Sequence, residues 1–352
     1  MGNKAKMLSL AVMGLLLFIA AGCDSGGSAP ATTSSGKTDA ATSAGSAAEK
    51  PAKIFKMRLG HEVNEDHPYH FGAVFFKEKV EELTKGGIEI QIFPNGSLGT
   101  QAAMLENVSM GTLDMCATNT PVYESLIPEW GILTIPFLFE NYEHCFAVMK
   151  SDIGKEFAAM AEPHGIKVLS FLRQGGSNPI TTFPLENPED VKGRKMRIQP
   201  GKSFTLMGSA LGMIVTPTSY SEVYAALQMG TVDGAIQPFM NVFTNKFYEV
   251  APHYADIGLC YMTEPIAMNL KLFNSLPPEY QKAVEEAAMY AMDMQNQAAI
   301  DFDAANMQHM LENGLIVTKG GPRQAWLDSV QSMYDGLSEW KPQYDRIKNF
   351  EY

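Results

Sequence analysis

The sequence predicts an α/β fold made of two lobes, and three observations support this prediction. Strand-like and helix-like stretches alternate over residues 195–236, which is typical of a parallel sheet with helices packed against it. Roughly 300 residues follow the N-terminal segment, which is more than one hydrophobic core normally holds. Residues 279–312 contain no glycine or proline, so a helix there would extend about 50 Å, longer than one lobe.

The first 52 residues are expected to lie outside this fold. Two lysines precede an apolar run at residues 8–21, which is too short for a membrane span, and small residues lead into Cys23. This pattern predicts a lipoprotein signal over residues 1–23 with Cys23 as the lipidated residue. An ordinary secretory peptide with an incidental cysteine is the alternative. Residues 24–52 are rich in Ser, Ala, Thr and Gly, so we expect a disordered tether.

Residues 53–174 are predicted to form the first lobe, to which residues 263–276 return. The predicted strands are 54–60, 88–93, 114–118 and 166–171, and the predicted helices are 69–83, 102–110, 142–149 and 153–161. In the first of these helices, Val74, Phe75 and Val80 are expected to face the core.

Residues 175–262 are predicted to form the second lobe, which the chain enters along residues 175–182. The predicted strands are 195–199, 213–216 and 233–236, and the predicted helices are 203–211 and 220–229. Two more strand-like stretches, 254–262 and 266–270, follow, and one of them should cross back. The long helix at 277–312 starts at a Pro-Pro pair, and residues 313–352 form a helical C-terminal segment with a helix at 326–337.

Charge and cysteine content exclude several classes of protein. The formal net charge of −12 argues against nucleic-acid binding, which needs a basic face, so an anionic ligand must be held by a local positive group. Apart from Cys23, the cysteines are far apart and odd in number, which implies no disulfide framework and favours small buried residues. One pairing among them is left open. They are Cys116, Cys145 and Cys260.

Three histidines near residue 65 raise the question of a metal site. The spacing of His61, His67 and His70 fits no standard zinc pattern, and no cysteine is close. We therefore expect a solvated loop and no metal.

Arg197 is the strongest candidate for a ligand contact. It lies near the end of the predicted strand 195–199, and ligands of parallel sheets bind at the carboxyl ends of the strands. Its planar guanidinium suits bidentate capture of a carboxylate. A surface arginine beside Arg194 and Lys195 is the alternative on residue type alone.

A series of short motifs, spread over most of the chain, occurs in an order that is specific for one family. The motifs are FPNG at 93–96 with Leu98 and Gly99, PFLF at 136–139, Gly193, Arg197, Pro217, SEVY at 221–224, ALQ at 226–228, Gly230, VDG at 232–234, Pro238 and KFYEV at 246–250. With these motifs the chain resembles the substrate-binding proteins of tripartite ATP-independent periplasmic (TRAP) transporters, the DctP type, from residue 53 to the C-terminus.

The resemblance implies a two-lobed clam-shell like that of periplasmic binding proteins (class II type), with one long helix lying across both lobes. It implies a lipid-anchored extracytoplasmic solute-binding protein that captures a small organic anion, most simply a carboxylate, in the cleft between the lobes. The protein would deliver this ligand to a large and a small integral membrane subunit, without ATP or any cofactor. We expect a monomer. An extracytoplasmic enzyme or a ligand-sensing module that uses the same cleft is the alternative, although no catalytic motif is evident.

The resemblance also implies a set of ligand contacts. Arg197 takes the position of the arginine that pairs with the substrate carboxylate. The family often has a second arginine where this chain has Ser177 or Asn178, so we favour a ligand with one anionic group; a glycine-rich hinge without ligand contact is the alternative. Gln237 replaces a usual asparagine, and Tyr220 takes a usually aromatic position, unless it is a core residue. Further candidates lie where strands of the first lobe end: Glu62, Asn64, Asn119 and Thr120.

Overall fold

The computed structural model describes residues 53–335 and 340–352. The predicted lipoprotein signal at 1–23, its lipidation site Cys23 and the predicted tether at 24–52 lie outside the described residues. Within the described part of the chain, no helix is long and apolar enough to cross a membrane.

Ten strands of the described residues form one sheet. They are β1 (Phe55–Gly60), β2 (Ile88–Phe93), β3 (Met115–Ala117), β4 (Ile166–Thr181), β5 (Lys195–Ile198), β6 (Ile214–Pro217), β7 (Gly234–Pro238), β8 (His253–Ala255), β9 (Cys260–Asn269) and β10 (Ile316–Thr318). Eight of them lie in the order β2-β1-β3-β9-β4-β7-β5-β6, and β8 attaches to β4 and carries β10.

The sheet consists of two parallel groups joined by a central antiparallel pair. Strands β1, β2 and β3 are parallel to one another and form the first group, and β5, β6 and β7 form the second. Strands β9 and β4 lie between these groups, with β9 antiparallel to β3 and β4 antiparallel to β7. The carboxyl ends of each parallel group therefore meet at one edge, where ligands of such sheets bind.

The helices alternate with the strands, as predicted. They are α1 (Pro68–Leu83), α2 (Gln101–Met110), α3 (Thr120–Tyr123), α4 (Tyr142–Lys150), α5 (Asp152–Ala159), α6 (Lys202–Ala210), α7 (Val223–Gln228), α8 (Phe239–Thr244), α9 (Leu270–Asn274), α10 (Pro278–Glu312), α11 (Arg323–Ser329), α12 (Gln331–Asp335) and α13 (Lys341–Lys348). A single-turn 3₁₀ helix, Tyr220–Glu222, precedes α7 and covers the start of the predicted helix there.

Helix α1 turns a different face inward from the one predicted. Val80 is fully buried as expected, but Val74 and Phe75 are only half-buried. The fully buried positions are instead Ala73 and Phe76, which pack in one cluster with β1, β2 and α10. The buried positions Ala73, Phe76 and Val80 are spaced by three and four residues, as expected for one face of a helix.

The predicted long helix is confirmed. Helix α10 has 35 residues, which correspond to about 52 Å at 1.5 Å per residue. Val284 packs in the cluster formed by β1, β2 and α1, whereas Met310 packs with residues of α7, β7 and α8. The helix therefore contacts both parallel groups of the sheet.

One buried glutamine ties the middle of α10 to the free edge of β4. Gln295 Oε1 accepts a hydrogen bond from the backbone N–H of Arg173 at 2.6 Å, and Gln295 Nε2 donates to its carbonyl at 3.0 Å. Both backbone groups are thereby satisfied without a neighbouring strand.

Strand β4 extends ten residues beyond the predicted end at residue 171. The segment 175–182, predicted as a crossing, is largely the second part of this continuous strand, which pairs with β9 up to Ser177 and with β7 from Ser177 to Thr181. In the sequence Gly175 and Gly176 suggest a turn, but both lie within the strand. Gly175 directly follows a β-bulge and has a φ angle of 84°. That conformation suits glycine because it lacks a Cβ atom.

One further detail of the prediction is corrected, and one open question is answered. The predicted strands 254–262 and 266–270 are in fact the short β8 and the single long strand β9, which runs through residues 263–265. The three cysteines of the described residues, Cys116, Cys145 and Cys260, are free and buried, so no disulfide joins any two of them.

Candidate functional site

The ends of the parallel strands border two small adjoining cavities. One has a volume of about 10 Å³ and the other about 100 Å³, and a cavity of about 10–15 Å³ holds a single water molecule. The residues that line both cavities come from α2, β5 and the loops after β3 and β6: Gln101, Asn119, Arg197, Gln199 and Tyr220.

Arg197 lies in β5 with its side chain in this pair of cavities. It is 2% exposed. The alternative of a surface arginine, which residue type alone left open, is therefore wrong. The Nε and Nη2 atoms of Arg197 donate to the Thr218 carbonyl at 3.0 and 2.7 Å. The Nη1 atom is buried and has no partner among the described residues. Thr218 therefore orients the guanidinium and leaves one of its nitrogen atoms available.

Burial lowers the pKa of Arg197 to about 10, and the nearby Glu62 carboxyl opposes this shift. The guanidinium therefore remains charged at neutral pH. Among the described residues that line either cavity, Arg197 is the only lysine or arginine. Arg173 points elsewhere, because its guanidinium lies over the Tyr142 ring, 3.9 Å from the ring centroid, and Nη1 donates to Asn296.

The smaller cavity is lined by an unusual number of unpaired polar atoms. Most buried polar atoms in proteins have a hydrogen-bond partner, yet six side chains that line this cavity each have a buried atom without one among the described residues. These atoms are Tyr69 OH, Asn119 Oδ1, Gln174 Oε1, Arg197 Nη1, Gln237 Nε2 and Glu264 Oε2. Such a cluster indicates a site whose hydrogen bonds are completed by a ligand.

Gln237 and Tyr220 come from the second parallel group, next to Arg197. Arg197 pairs with Ala235 in the register of β5 and β7, so Gln237, two residues further along β7, lies on the same face of the sheet. Its Oε1 atom accepts a hydrogen bond from Asn241 Nδ2 at 3.0 Å. Asn245 Nδ2 donates to the Tyr220 hydroxyl, and burial raises the pKa of that hydroxyl.

Glu62 and Asn119 follow β1 and β3 of the first parallel group and also line the cavities. Gln101 Oε1 accepts a hydrogen bond from the Asn119 backbone N–H at 2.7 Å, which leaves the Gln101 amide nitrogen to donate elsewhere. Asn119 Nδ2 donates to Gln199 at 2.7 Å. Burial raises the pKa of Glu62, whereas a hydrogen bond from Gln101 and the charge of Arg197 oppose the shift.

Four of the nine predicted contact residues do not line either cavity. Asn178 is buried, donates to the Tyr254 hydroxyl, and accepts hydrogen bonds from the backbone N–H groups of Ile257 and Leu259. Its side-chain oxygen is thus occupied twice and its amide nitrogen once within the protein. Ser177 is buried, with an unpaired Oγ atom.

The other two residues outside the cavities lie in the first part of the chain. Asn64 is exposed and donates to the Thr244 carbonyl at 3.4 Å. The Thr120 hydroxyl, which is buried, donates to the Thr263 carbonyl at 2.9 Å.

Sequence reasoning missed two polar residues of the central strands. Gln174 occupies the bulge of β4, because Arg173 pairs with Thr263 and Gly175 pairs with Met262, and a bulge re-aims the side chain of its extra residue. Glu264 lies in β9 between Thr263 and Pro265, in a strand whose other residues are mostly apolar. A lone carboxylate in a strongly apolar segment was the available signal, since carboxylates are rarely buried without a role.

Glu264 is the most deeply buried carboxyl group of the site, with 2% exposure. Burial raises its pKa well above the usual value, and the nearby Glu62 carboxyl adds to the shift. The site therefore contains one buried cation and two carboxyl groups whose pKa values are raised by burial.

The prediction that the three histidines lie in a solvated loop is wrong. His61 and His67 are fully buried, and His70 is half-buried with its Nδ1 atom 3.0 Å from His61 Nε2. Burial lowers the pKa values of His61 and His67 to about 3. Within the described residues no group of His, Cys, Asp and Glu side chains is arranged to hold a metal ion.

The chain matches known proteins over nearly all of the described residues. The model of the bacterial extracellular solute-binding proteins of family 7, DctP, matches residues 59–340. The C4-dicarboxylate-binding periplasmic protein DctP of Rhodobacter capsulatus is 29% identical over 292 residues, covering 82% of this chain and 88% of that protein. The 2,3-diketo-L-gulonate-binding periplasmic protein of Escherichia coli is 28% identical over 275 residues, covering 78% and 84%.

Solved structures of TRAP periplasmic solute-binding proteins have the same fold. One from Xanthobacter autotrophicus, with bound β-D-galacturonate, superposes with a TM-score of 0.81 at 27% identity and covers 84% of this chain and all of that one. Another from Polaromonas, bound to D-erythronate, has a TM-score of 0.81 at 26% identity and covers 85% and 99%. The mixed α/β fold with its long helix and the motifs around Arg197 therefore have one explanation: the chain belongs to the DctP family, family 7 of the bacterial extracellular solute-binding proteins.

Proposed function

We propose that this protein is the solute-binding subunit of a TRAP transporter and that its ligand is a small monocarboxylate bearing hydroxyl groups. The ligand would bind in the cavities at the ends of β1, β3, β5 and β7. The single observation that carries the proposal is the buried, charged and oriented guanidinium of Arg197, with Nη1 unpaired among the described residues. An isolated buried charge is costly, so a site of this kind favours an anionic partner.

The donors of the site support a carboxylate at the Arg197 end. Arg197 Nη1 and Gln237 Nε2 are both buried donors that line the smaller cavity and have no partner among the described residues. Hydrogen bonds from a guanidinium to a carboxylate are about twice as strong as neutral ones. Two donors from adjacent strands can bind the two oxygen atoms of one carboxylate.

The oxygen atoms of the site support hydroxyl groups at the opposite end. Asn119 Oδ1 and Glu264 Oε2 line the same cavity without partners among the described residues, and Glu62 lines the neighbouring one. A hydroxyl group donates to such oxygen atoms, whereas a second carboxylate has no proton to donate to them. This arrangement favours one anionic group over two.

The relatives fit this ligand class. β-D-Galacturonate and D-erythronate, bound in the two structural relatives, each combine one carboxylate with several hydroxyl groups. The Rhodobacter relative is described as binding C4-dicarboxylates, so the family also contains proteins that bind a second carboxylate.

A thermal-shift screen followed by calorimetry tests the ligand class. The panel contains D-galacturonate, D-glucuronate and D-erythronate against succinate and malate, with D-galactose as the uncharged control. We expect the hydroxylated monocarboxylates to raise the melting temperature most and D-galactose to have no effect. Stabilisation by succinate or malate alone would contradict the proposed ligand class.

We further propose that residues 53–174 with 263–276 form one lobe and residues 175–262 the other. The two lobes would close over the ligand. The closed protein would then deliver the ligand to the two membrane subunits. The TRAP relatives support transport as the role of the chain and do not support an enzymatic role.

Membrane attachment through Cys23 is a separate proposal, supported by the small residues before this cysteine and the polar stretch after it. The variant Cys23→Ser should appear in the soluble extracytoplasmic fraction, whereas the wild type should sediment with membranes. Equal sedimentation of the two proteins would contradict the anchor.

A further inference from the structure

His67 occupies a position in which only one neutral form of its ring satisfies both neighbours. The residue precedes α1, and its Nδ1 atom accepts a hydrogen bond from the backbone N–H of Tyr69 at 3.1 Å. A backbone N–H can only donate, so Nδ1 carries no proton. In the neutral ring the proton is therefore on Nε2.

This proton fixes the orientation of the next side chain. His67 Nε2 lies 2.7 Å from Asn241 Oδ1, a buried contact between residues 174 positions apart. Because Nε2 is the donor, the oxygen of the Asn241 amide must face His67. The Asn241 Nδ2 atom then faces Gln237 and donates to its Oε1 atom at 3.0 Å.

The same logic fixes Gln237. Its oxygen is occupied by Asn241, so its amide nitrogen, which has no partner among the described residues, is the atom that lines the cavity beside Arg197. A rotation of the Gln237 amide by half a turn would set its NH₂ against that of Asn241. All three side chains are buried, where an unpaired polar group costs about 1–3 kcal/mol.

We propose that His67 and Asn241 are positioning residues that hold Gln237 as a hydrogen-bond donor toward the ligand carboxylate. This inference rests on the proposed function: the second donor beside Arg197 is then the neutral amide of Gln237, held by a relay of hydrogen bonds through His67 and Asn241, and not a second arginine. The relay is directional because it starts at a backbone N–H, and each following group has only one orientation left.

The burial of His67 supports a fixed relay. Its pKa is lowered to about 3 by burial, against the hydrogen bond to Asn241, which raises it. The ring therefore stays neutral between pH 5 and 8, the relay keeps one direction over this range, and Gln237 keeps its role as a donor.

A double-mutant cycle on the ligand D-galacturonate tests the relay. Gln237→Met keeps the length of the side chain but removes the donor, and Asn241→Leu keeps the size but removes the group that orients Gln237. We expect Gln237→Met to bind about tenfold more weakly than wild type and Asn241→Leu to lose at least fivefold. The double variant should bind within twofold of Gln237→Met, because Asn241 acts through Gln237.

His67→Asn separates the relay from helix capping. Asparagine is a good residue before a helix and can accept from the Tyr69 N–H, but it is too short to reach Asn241. It should keep the helix cap, lower the melting temperature by a few degrees because Asn241 Oδ1 loses its buried partner, and weaken D-galacturonate binding at least threefold. In the Gln237→Met background the same substitution should have no further effect.

Two results would overturn the inference. One is an additive loss in the double variant, which would mean that Asn241 contributes without Gln237. The other is a ligand-free ¹⁵N NMR spectrum in which His67 is protonated at Nδ1 or titrates between pH 5 and 8. If wild type binds none of D-galacturonate, D-glucuronate and D-erythronate, the proposed function fails; the NMR spectrum of the ligand-free protein still decides the relay, with a neutral Nε2–H ring supporting it.

Discussion

The two parallel groups of the sheet present opposite hydrogen-bonding groups to the same cavities. The β5–β7 group supplies donors, Arg197 Nη1 and Gln237 Nε2. The β1–β3 group and the central strand β9 supply oxygen atoms from Glu62, Asn119 and Glu264. The proposed ligand, with its negative charge at one end and its hydroxyl groups at the other, matches this difference.

Burial acts on the charges of the two sides differently. It lowers the pKa of Arg197 only to about 10, so this side remains cationic at neutral pH. It raises the pKa values of Glu62 and Glu264, so on the opposite side burial works against negative charge.

Removal of the cation should have the largest effect on affinity. A charged hydrogen bond contributes about 1.5–3 kcal/mol, so Arg197→Ala, which removes the bond from Nη1 to the carboxylate, should weaken D-galacturonate binding by about one to two powers of ten. Arg197→Lys keeps a charge but loses the planar fork, so its affinity should be closer to that of Arg197→Ala than to wild type. Isothermal calorimetry measures both.

The fold of these variants is checked by circular dichroism and thermal unfolding. Arg197 bonds only to the Thr218 carbonyl within the described protein, so we expect a folded variant with a slightly lower melting temperature. If the folded Arg197→Ala protein binds D-galacturonate within threefold of wild type, Arg197 does not bind the ligand carboxylate.

A change on the oxygen side should have a smaller effect. Glu264→Gln keeps the shape of the side chain and replaces a carboxyl by an amide, so D-galacturonate binding should weaken about fivefold. Glu129→Gln, at an exposed glutamate outside the cavities, is the matched control and should bind like wild type. If Glu264→Gln loses as much D-galacturonate affinity as Arg197→Ala, the carboxylate end of the ligand has been assigned to the wrong side of the site.

The stability of Glu264→Gln should differ from that of wild type in a way that depends on pH. The pKa of Glu264 is raised in the folded protein by burial, so folding becomes less favourable as pH rises from about 4.5 toward the raised pKa. Glu264→Gln removes this cost. Its ligand-free melting temperature should exceed that of wild type by about 2 °C or more at pH 8, and the gain should shrink as pH falls toward 4.5. A gain independent of pH would show that the Glu264 charge is not its cause.

Asn178 should have the smallest effect on affinity, because all of its hydrogen bonds lie within the protein. Asn178→Ala leaves the buried N–H groups of Ile257 and Leu259 unpaired, which should lower the free energy of unfolding by about 2–4 kcal/mol, as urea denaturation would measure. D-Galacturonate affinity should stay within threefold of wild type. Ser177→Ala, which removes an unpaired hydroxyl, is the matched neighbour and should change stability little. A tenfold loss of affinity at unchanged stability would place Asn178 in the site.

Local sequence patterns identified the candidate residues that lie at the ends of strands. Arg197 and Asn119 lie at or just beyond the ends of parallel strands, which periodicity and turn residues locate in a sequence, and the resemblance to the DctP type added Gln237 and Tyr220. The absence of glycine and proline over residues 279–312 predicted the long helix, and the length of the chain suggested two lobes.

The rest depends on pairings between distant strands and could not be predicted locally. Gln174 points into the cavity because a bulge forms where β4 pairs with β9, and Glu264 lies in the middle of an antiparallel strand. The contact of His67 with Asn241 joins residues 174 positions apart, and the loop alone looked solvated. Ser177 and Asn178 were chosen by position along the chain, but their side chains lie outside the cavities.

A crystal structure of the complex with D-galacturonate tests the central claim most directly, since it reads the orientation of the ligand. We expect both carboxylate oxygen atoms within about 3 Å of Arg197 Nη1 and Gln237 Nε2, with hydroxyl groups on Asn119 and Glu264. A ligand bound with its carboxylate toward Glu62 and Glu264, or bound away from Arg197, would contradict the assignment of donors to one side of the site and oxygen atoms to the other.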